Sequence, residues 1–242
     1  MKDLIRKIKE KKELSGLADS FVSQALDKVL KKHSTPRSPK EEKLIIKETR
    51  AMLRKSAGRF LDSNLIENKD QSILEAHSST RERLAIYPEL KKKIYSLNPK
   101  SILDIGCGLN PLAIAKKHVK YIATDINENY LKIVSNFFKK EKIEGDTMIL
   151  DVKTSSSFPK ADLCLMLKLV DVIEEKGHKR TEEIIKSLNC KDIIISFSTK
   201  TLSGKPMNHP QRGWIEQLCN RLNLKFSIWS TPNEIFYFIK KS

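Results

Sequence analysis

The chain has 242 residues, and its 46 Lys and Arg against 30 Asp and Glu give a formal net charge of +16 at pH 7. With 39% hydrophobic and 31% charged residues, the composition excludes a disordered chain, and its short apolar runs exclude a membrane-spanning one. The first residues do not resemble a secretory signal, so we expect a cytoplasmic protein without a membrane partner.

The basic excess indicates a polyanionic partner. Residues 1–100 contain 24 Lys and Arg against 14 Asp and Glu, a net of +10, which leaves +6 for residues 101–242. A surface of this charge attracts nucleic acid whatever the fold, although a basic surface without such a partner remains the alternative. The four cysteines are widely spaced and have no histidine at metal-ligand spacing, so we expect reduced thiols, no disulfide framework and no metal site.

The first hundred residues show no strand pattern and predict several short helices up to about Asn98. Between Pro39 and Phe60, five basic residues fall within a narrow arc of one predicted helix, while apolar residues take other faces. These basic residues are Lys40, Lys43, Lys47, Arg50 and Arg54. Such a stripe can follow a phosphate backbone, but many charged helix faces are only solvated, so both interpretations stay open. We predict a helical, basic, RNA-docking domain over residues 1–95.

From Ser101 the pattern changes to alternating strands and helices. Seven β-rich runs appear, at Ser101–Ile105, Tyr121–Asp125, Thr147–Asp151, Asp162–Lys168, Asp192–Phe197, Leu224–Trp229 and Glu234–Ile239. Helical patterns such as Asn129–Lys140 and Thr181–Leu188 separate them. The alternation predicts an α/β domain over residues 96–242, with a mainly parallel sheet covered by helices on both faces. Only Ser230–Asn233 joins the last two runs, which predicts an antiparallel hairpin.

The sharpest local signal is Ile102–Pro111, with the sequence ILDIGCGLNP. A buried strand runs into the turn Gly106-Cys107-Gly108, where the backbone is able to approach a ligand closely, and Pro111 suits the first turn of a helix. The third glycine of the dinucleotide fingerprint is missing, and Asp104 places a negative charge where a pyrophosphate would lie. NAD and FAD therefore fit poorly, whereas S-adenosylmethionine, which has an ammonium group and no phosphate, fits well.

Two further acidic residues follow the next two predicted strands. Asp125 stands 19 positions after Gly106, where a carboxylate can accept hydrogen bonds from ribose hydroxyls. Asp151 closes the third strand, where it can accept from an adenine amino group. Either residue alone could simply cap a helix. Together with Asp104 they predict a class I methyltransferase, a Rossmann-like fold with a seven-strand sheet.

The segment His77–Leu84 (HSSTRERL) precedes this domain. Ser79 and Glu82 have the spacing of a capping box that starts a helix. That would place Arg83 in the first turn, where its guanidinium could clamp a carboxylate through two hydrogen bonds. His77 on its own is more often structural than functional.

Four segments in this order resemble the aminoglycoside-resistance 16S rRNA (guanine-N7) methyltransferases, the family of the plasmid-borne Arm and Rmt enzymes and their actinomycete relatives. They are His77–Leu84, Asp104–Leu112 (DIGCGLNPL), Leu165–Val170 (LMLKLV) and Ser196–Lys205 (SFSTKTLSGK). The resemblance implies S-adenosylmethionine as cofactor and assembled 30S subunits, through their 16S rRNA, as substrate. It further implies transfer to guanine N7 in the decoding region, at a site of the position-1405 type, and raises aminoglycoside resistance as a phenotype.

The resemblance also implies roles by position. The cofactor-binding set is His77, Arg83, Gly106, Cys107, Gly108, Asp125, Ile126, Asp151, Val152 and Lys168. Within it, Arg83 and the glycines hold the methionine end, Asp125 the ribose, and Asp151 with Val152 the adenine. Lys168 lines the pocket at the transfer site as the candidate catalytic residue, although its position alone would equally suit a salt bridge. We add Lys205 and Arg212 to the predicted RNA-binding residues, and we expect a monomer.

The sequence also bears on the methyl acceptor. Guanine N7 has a free lone pair and loses no proton, so positioning of cofactor and base is sufficient. After the fourth strand this chain has Leu167-Lys168-Leu169-Val170 in place of the Asn/Asp-Pro-Pro-aromatic motif of amine methylation. However, the loop Ser198–Arg212 departs from the family pattern. Methylation of another RNA site, or a non-catalytic ribosome-assembly factor that keeps the fold, therefore stays as an alternative, and a small-molecule methyltransferase fits the charge least.

Overall fold

The structure is a computed structural model that describes residues 1–57, 74, 78–174, 177–201 and 205–241. It begins with three helices, α1 (Lys2–Lys9), α2 (Asp19–His33) and α3 (Pro39–Ala57), with a short 3₁₀ turn (Lys12–Leu14) after α1. Their apolar side chains recur at helical spacing and pack into a cluster of their own, in which Ile8, Leu26 and Leu53 are fully buried. This N-terminal bundle carries the predicted basic stripe on α3.

Two helices lead from the bundle to the sheet, α4 (Ser78–Arg81) and α5 (Tyr87–Ser96). The predicted start of a helix at Ser79 with Arg83 in its first turn is wrong. The helix begins at Ser78 and ends at Arg81, so Arg83 lies in the turn that follows it. The Glu82 carboxylate, in the same turn, binds Lys168.

A seven-stranded sheet forms the centre of the described chain. Its strands are β1 (Ser101–Ile105), β2 (Lys120–Asp125), β3 (Gly145–Ile149), β4 (Leu163–Leu167), β5 (Asp192–Ser198), β6 (Lys225–Ser230) and β7 (Glu234–Lys240). The order is β3-β2-β1-β4-β5-β7-β6, and β7 runs antiparallel to both of its neighbours. The remaining pairs are parallel. The predicted α/β class and the terminal hairpin are confirmed.

Helices cover both faces of the sheet. Successive residues of a strand point to opposite sides, and here the side chains on both sides are apolar. Ile102 belongs to one apolar cluster and its neighbour Leu103 to the other. The helices that connect the strands are α6 (Pro111–Ile114), α7 (Glu128–Glu141), α8 (Val170–Ile173), α9 (Lys179–Ser187) and α10 (Gly213–Arg221). Strand order reverses between β1 and β4, so a crevice is expected at the carboxyl ends of these strands.

Two expectations about individual residues have different outcomes. The third strand ends at Ile149, so Asp151 lies two residues beyond it in a turn and does not close the strand as predicted. The thiols are free as expected, and Cys107, Cys164 and Cys219 are buried.

Candidate functional site

The turn after β1 approaches the reversal point of the sheet and has the backbone shape that glycine permits. Gly106 and Gly108 have φ angles of +64° and +49°, in the left-handed region that L side chains avoid. A Cβ at Gly106 would also lie 2.8 Å from the Leu169 Cδ1 atom. Between the glycines, Cys107 is 1% exposed, and burial raises the pKa of its thiol well above the ordinary value. Cys107 therefore packs the turn and does not provide a nucleophile.

Asp104, one residue before the end of β1, has a buried oxygen that lacks a donor. Its Oδ2 atom accepts a hydrogen bond from the Tyr121 hydroxyl at 2.8 Å, but Oδ1 has no partner within the described part of the chain. Burial raises the pKa of Asp104 to about 7. A buried acceptor without a donor is costly, and an ammonium group beside it would remove that cost. The residues present thus fit the methionine end of S-adenosylmethionine.

Asp125 closes β2 and is held by backbone donors on both of its oxygens. Its Oδ2 accepts from the Gly108 amide at 2.9 Å, and its Oδ1 accepts from the Asn127 amide at 2.8 Å. Burial raises the pKa of Asp125, and these backbone donors counteract part of that rise. Each carboxylate oxygen keeps a second lone pair that could accept from a ribose hydroxyl. Ile126, a predicted cofactor contact, packs against the N-terminal cluster.

Asp151 and Val152, the predicted adenine contacts, lie in the turn after β3. The Asp151 Oδ1 atom accepts from the Lys153 amide at 2.9 Å, which folds the turn around its own side chain. Arg180 of α9 donates to the Val152 carbonyl from Nε at 3.1 Å and from Nη2 at 2.6 Å. The turn is thereby fixed to a helix of the sheet domain.

A buried ion pair that the sequence did not reveal lies at the same edge. The Arg83 Nε atom donates to the two oxygens of Glu234, at 3.1 Å and 2.8 Å, and Nη2 donates to Oε1 at 2.9 Å. Both side chains are only 1% exposed. Burial alone would lower the pKa of Arg83, but the Glu234 carboxylate more than offsets it and the net pKa is raised. Arg83 thus clamps a carboxylate of the protein itself, and its contact with the methionine end of the cofactor stays a prediction.

Lys168 completes this network at the end of β4. Its Nζ atom binds the Glu82 carboxylate and lies 3.6 Å from Glu234 Oε2. Its backbone is in the left-handed region, with φ +54°, and its amide donates to the Ser196 hydroxyl at 2.9 Å. Glu234 also accepts from Ser196, so one carboxylate joins the ends of β4, β5 and β7 to the segment before β1. An acidic residue at the start of the apolar run IFYFI was the only sequence signal for it.

Four of the five residues of the predicted RNA-binding stripe, all except Lys40, line a groove of about 380 Å³ between α3 and the region of α1. Cations from both helices line it, together with Glu10 and Ile46; they are Lys7, Lys11, Lys43, Lys47, Arg50 and Arg54. Three of them also hold the bundle together, and Lys7 of α1 does so by pairing with Glu42 of α3 at 2.8 Å. The Arg50 guanidinium donates to backbone carbonyls at the end of α1, and Arg54 donates to Glu13 at 2.6 Å. Lys43 and Lys47 are exposed, as is Lys40 at the start of α3.

The two basic residues predicted in the loop after β5 have different environments. Lys205 is exposed. Arg212 is not a free surface cation, because its guanidinium donates to the Pro210 and Ser198 carbonyls and pairs with Asp171 at 3.3 Å. It also lies over the Phe197 ring at 5.2 Å from the centroid. Arg212 therefore holds the loop in shape, while His77 lies outside the described residues.

Two features are absent from the part of the chain that the structure describes. Those residues contain no group of three or more His, Cys, Asp or Glu arranged to hold a metal. They also contain no helix that is long and apolar enough to cross a membrane. The edge of the sheet contains the glycine turn, the carboxylates and the Arg83–Glu234–Lys168 network.

Comparison with known proteins assigns this arrangement to a family. The model of the ribosomal RNA methyltransferase (FmrO) family matches residues 26–234. A 16S rRNA (guanine(1405)-N(7))-methyltransferase of Serratia marcescens is 30% identical over 176 residues, which cover 70% of this chain and 69% of the relative. An enzyme of the same name from Micromonospora rosea is 26% identical over 190 residues, covering 74% and 69%.

Several solved structures share this fold. The 16S rRNA methylase RmtB matches with a TM-score of 0.77 at 24% identity, covering 100% of this chain and 98% of that one. The 16S rRNA methyltransferase RmtF, solved with S-adenosyl-L-homocysteine, matches with a TM-score of 0.76 at 18% identity, covering 100% and 98%. The resemblance and fold class predicted from the sequence are both confirmed. The chain belongs to the ribosomal RNA methyltransferase (FmrO) family.

Proposed function

We propose that this protein transfers a methyl group from S-adenosylmethionine to N7 of a guanine in the decoding region of 16S rRNA, at a site of the position-1405 type. The observation that carries the proposal is the acidic, glycine-lined edge formed by Asp104, Gly106, Gly108 and Asp125 in a chain of this family. The curated relatives are named for guanine-1405 N7 methylation. S-adenosylmethionine supplies the electrophilic methyl group when it is bound.

The chain's own residues would bind and orient the reactants. Asp104 would accept a hydrogen bond from the ammonium group, and Asp125 would accept from the ribose hydroxyls. Asp151 would accept from the adenine amino group, and Val152 would contact the same base. Lys168 is held between Glu82 and Glu234 at the end of β4, where its cation would help to position the cofactor and the target base. Guanine N7 loses no proton, so this site needs no general base. Arg83 and His77 stay predicted contacts of the methionine end.

The N-terminal bundle supports RNA docking. Six cations around one groove on a chain of net charge +16 favour a phosphate backbone over a small acidic metabolite. Helices α1 to α3 share an apolar cluster of their own, which supports a separate docking unit at the start of the proposed domain over 1–95. Helix α5 packs instead in an apolar cluster of the sheet through Tyr87, Leu90 and Ile94, so the proposed boundary with the methyltransferase domain over 96–242 follows the sequence pattern and not the packing. Lys40, Lys43, Lys47 and Lys205, which are exposed, are the proposed RNA contacts, with Arg50, Arg54 and Arg212 contributing charge from positions that also stabilise the fold. The proposed partner is the 30S subunit, bound by a monomer in the cytoplasm.

Tritiated methyl transfer to three substrates tests the proposal. We expect label on 30S subunits and much less on naked 16S rRNA or bulk tRNA. Label confined to tRNA or to naked rRNA would contradict the proposed substrate and favour another RNA site. Cofactor binding with no label on any RNA would instead favour the non-catalytic assembly factor, and the resistance phenotype would then be absent as well.

A further inference from the structure

A short segment of the N-terminal bundle touches the loop that carries the ribose carboxylate. The Ala18 amide donates to the Ile126 carbonyl at 2.9 Å, and the Glu128 amide donates to the Gly16 carbonyl at 2.8 Å. Leu17 and Asn127 thereby form an isolated antiparallel bridge. Residues 14–18, here called the clasp, thus connect the bundle to the loop between β2 and α7.

The clasp reaches the Asp125 carboxylate through Asn127, next to Ile126. The Asn127 amide donates to Asp125 Oδ1 at 2.8 Å. The Asn127 side chain caps α7 by accepting from the amide of Asn129 at 3.0 Å and from that of Tyr130 at 3.4 Å. Asn127 is therefore fixed on one side by the clasp, on another by α7, and on the third by the carboxylate predicted to hold the ribose.

Gly16 is the point of closest approach between the two parts. A Cβ atom at this position would lie 2.5 Å from Asn127 Oδ1 and 2.6 Å from Asn129 Nδ2. Asn127 Oδ1 caps α7, so it is unable to move without disturbing the loop, whereas the Asn129 side chain is able to turn aside. Only a residue without a side chain allows the clasp to lie this close. Ile126 strengthens the contact, because its side chain packs on the apolar cluster of the bundle.

We infer that Gly16 is a positioning residue for cofactor binding, acting through Asn127 to hold the Asp125 carboxylate in place. The inference rests on the proposed function, since Asp125 is the proposed ribose ligand. It adds a second role for the N-terminal bundle, which would hold the cofactor loop as well as dock on RNA. Because such coupling is reciprocal, cofactor binding would in turn favour the docked arrangement of the clasp.

The test compares Gly16→Ala with two matched controls. Ser15→Ala changes the adjacent, exposed residue, whose hydroxyl donates only to Lys12 within its own turn. Gly213→Ala makes the same chemical change where an added Cβ meets nothing within 4 Å. Calorimetric affinity for S-adenosylhomocysteine is measured on the full chain without RNA, and urea unfolding checks that each variant folds.

We expect Gly16→Ala to weaken cofactor affinity roughly tenfold, the range of one disturbed hydrogen bond, with both controls within about twofold of the wild type. In methyl transfer the KM for cofactor should rise while kcat stays near its normal value, which a general loss of fold would not produce. Adding Asn127→Ser and Asn129→Ala should restore affinity, since serine is also a good helix cap and both clashing amides are removed. Affinity of Gly16→Ala equal to that of the controls would overturn the inference.

A second variant keeps the inference testable if Gly16→Ala fails to fold. Ala18→Pro deletes the amide that donates to Ile126 at a residue whose φ of −59° already suits proline. We expect roughly threefold weaker cofactor binding from the loss of this one hydrogen bond, and unchanged binding would again overturn the inference. Absence of cofactor binding by the wild-type protein would refute the proposed function itself, so the two failures are distinguishable.

Discussion

The buried pair between Arg83 and Glu234 gives the sharpest prediction about stability. Glu234→Gln keeps the size of the side chain and one acceptor oxygen but removes the negative charge beside a guanidinium that is 1% exposed. In the native pair the Arg83 Nε atom donates to both carboxylate oxygens of Glu234. In the variant an NH2 group, which is itself a donor, takes the place of one of these acceptors. The change thus leaves a buried cation without its compensating charge.

The expected loss of unfolding free energy is about 3–5 kcal/mol, the usual cost of removing one partner from a buried pair. With a urea m-value of about 3 kcal/mol/M for a chain of this size, the midpoint should fall by about 1 M or more. Urea titration followed by far-ultraviolet circular dichroism measures it. The matched control is Glu183→Gln, which removes a carboxylate paired with Arg180 on the surface, where its side chain is 64% exposed. Its loss should stay within about 1 kcal/mol.

A double variant separates the ion pair from the rest of the network. Arg83→Met together with Glu234→Gln removes both charges, so it should cost less than the sum of the two single variants. A loss below about 1 kcal/mol for Glu234→Gln, or strict additivity in the double variant, would refute the reasoning that this pair holds the edge of the sheet.

Three further predictions concern the cofactor edge and the groove. Burial raises the pKa of Asp104 to about 7, and an ammonium ligand favours the charged carboxylate, so cofactor affinity should fall as the pH drops below about 7. Calorimetry in two buffers of different ionisation enthalpy should detect the release of a proton on binding. The variant Asp104→Asn should remove this pH dependence. Gly106→Ala forces a side chain into a φ of +64° and against Leu169, so equilibrium dialysis should detect at least a roughly tenfold loss of cofactor affinity, and normal affinity would contradict the proposed cradle. Lys47→Ala should weaken 30S binding and reduce the salt slope by about 1, while Lys140→Ala on α7 should do neither; equal effects of the two would mean that the groove has no special role.

The sheet was predictable from the sequence because its strands are short apolar runs separated by helical patterns. Runs such as SILDI and DIIISFS are buried on both faces, so they read as continuous β-rich segments. The glycine turn was predictable because positive φ angles, such as those of Gly106 and Gly108, favour glycine, and the two glycines are visible in the sequence. The position of Asp125 was predictable because this residue ends the second strand, β2.

The long-range contacts were not predictable, because they join residues far apart in the chain. Arg83 and Glu234 are separated by 151 positions, and the sequence around each residue does not indicate that the other is its partner. Arg212 was predicted as an RNA-binding residue, and its contacts with Asp171 and Ser198 inside the loop were not predictable. The proposed role of Gly16 depends on contacts between residues 16–18 and residues 126–129, which lie far apart in the chain, so the periodicity of either segment does not indicate them.

Mapping of the methylated nucleotide tests the central claim most directly. Subunits of 30S labelled by the enzyme are treated with borohydride and aniline, which break the RNA chain at 7-methylguanosine, and the break is located by primer extension. The account predicts a single break at a guanine of the decoding region, absent without S-adenosylmethionine. Efficient labelling without any such break would contradict it, because the methyl group would then lie on another atom.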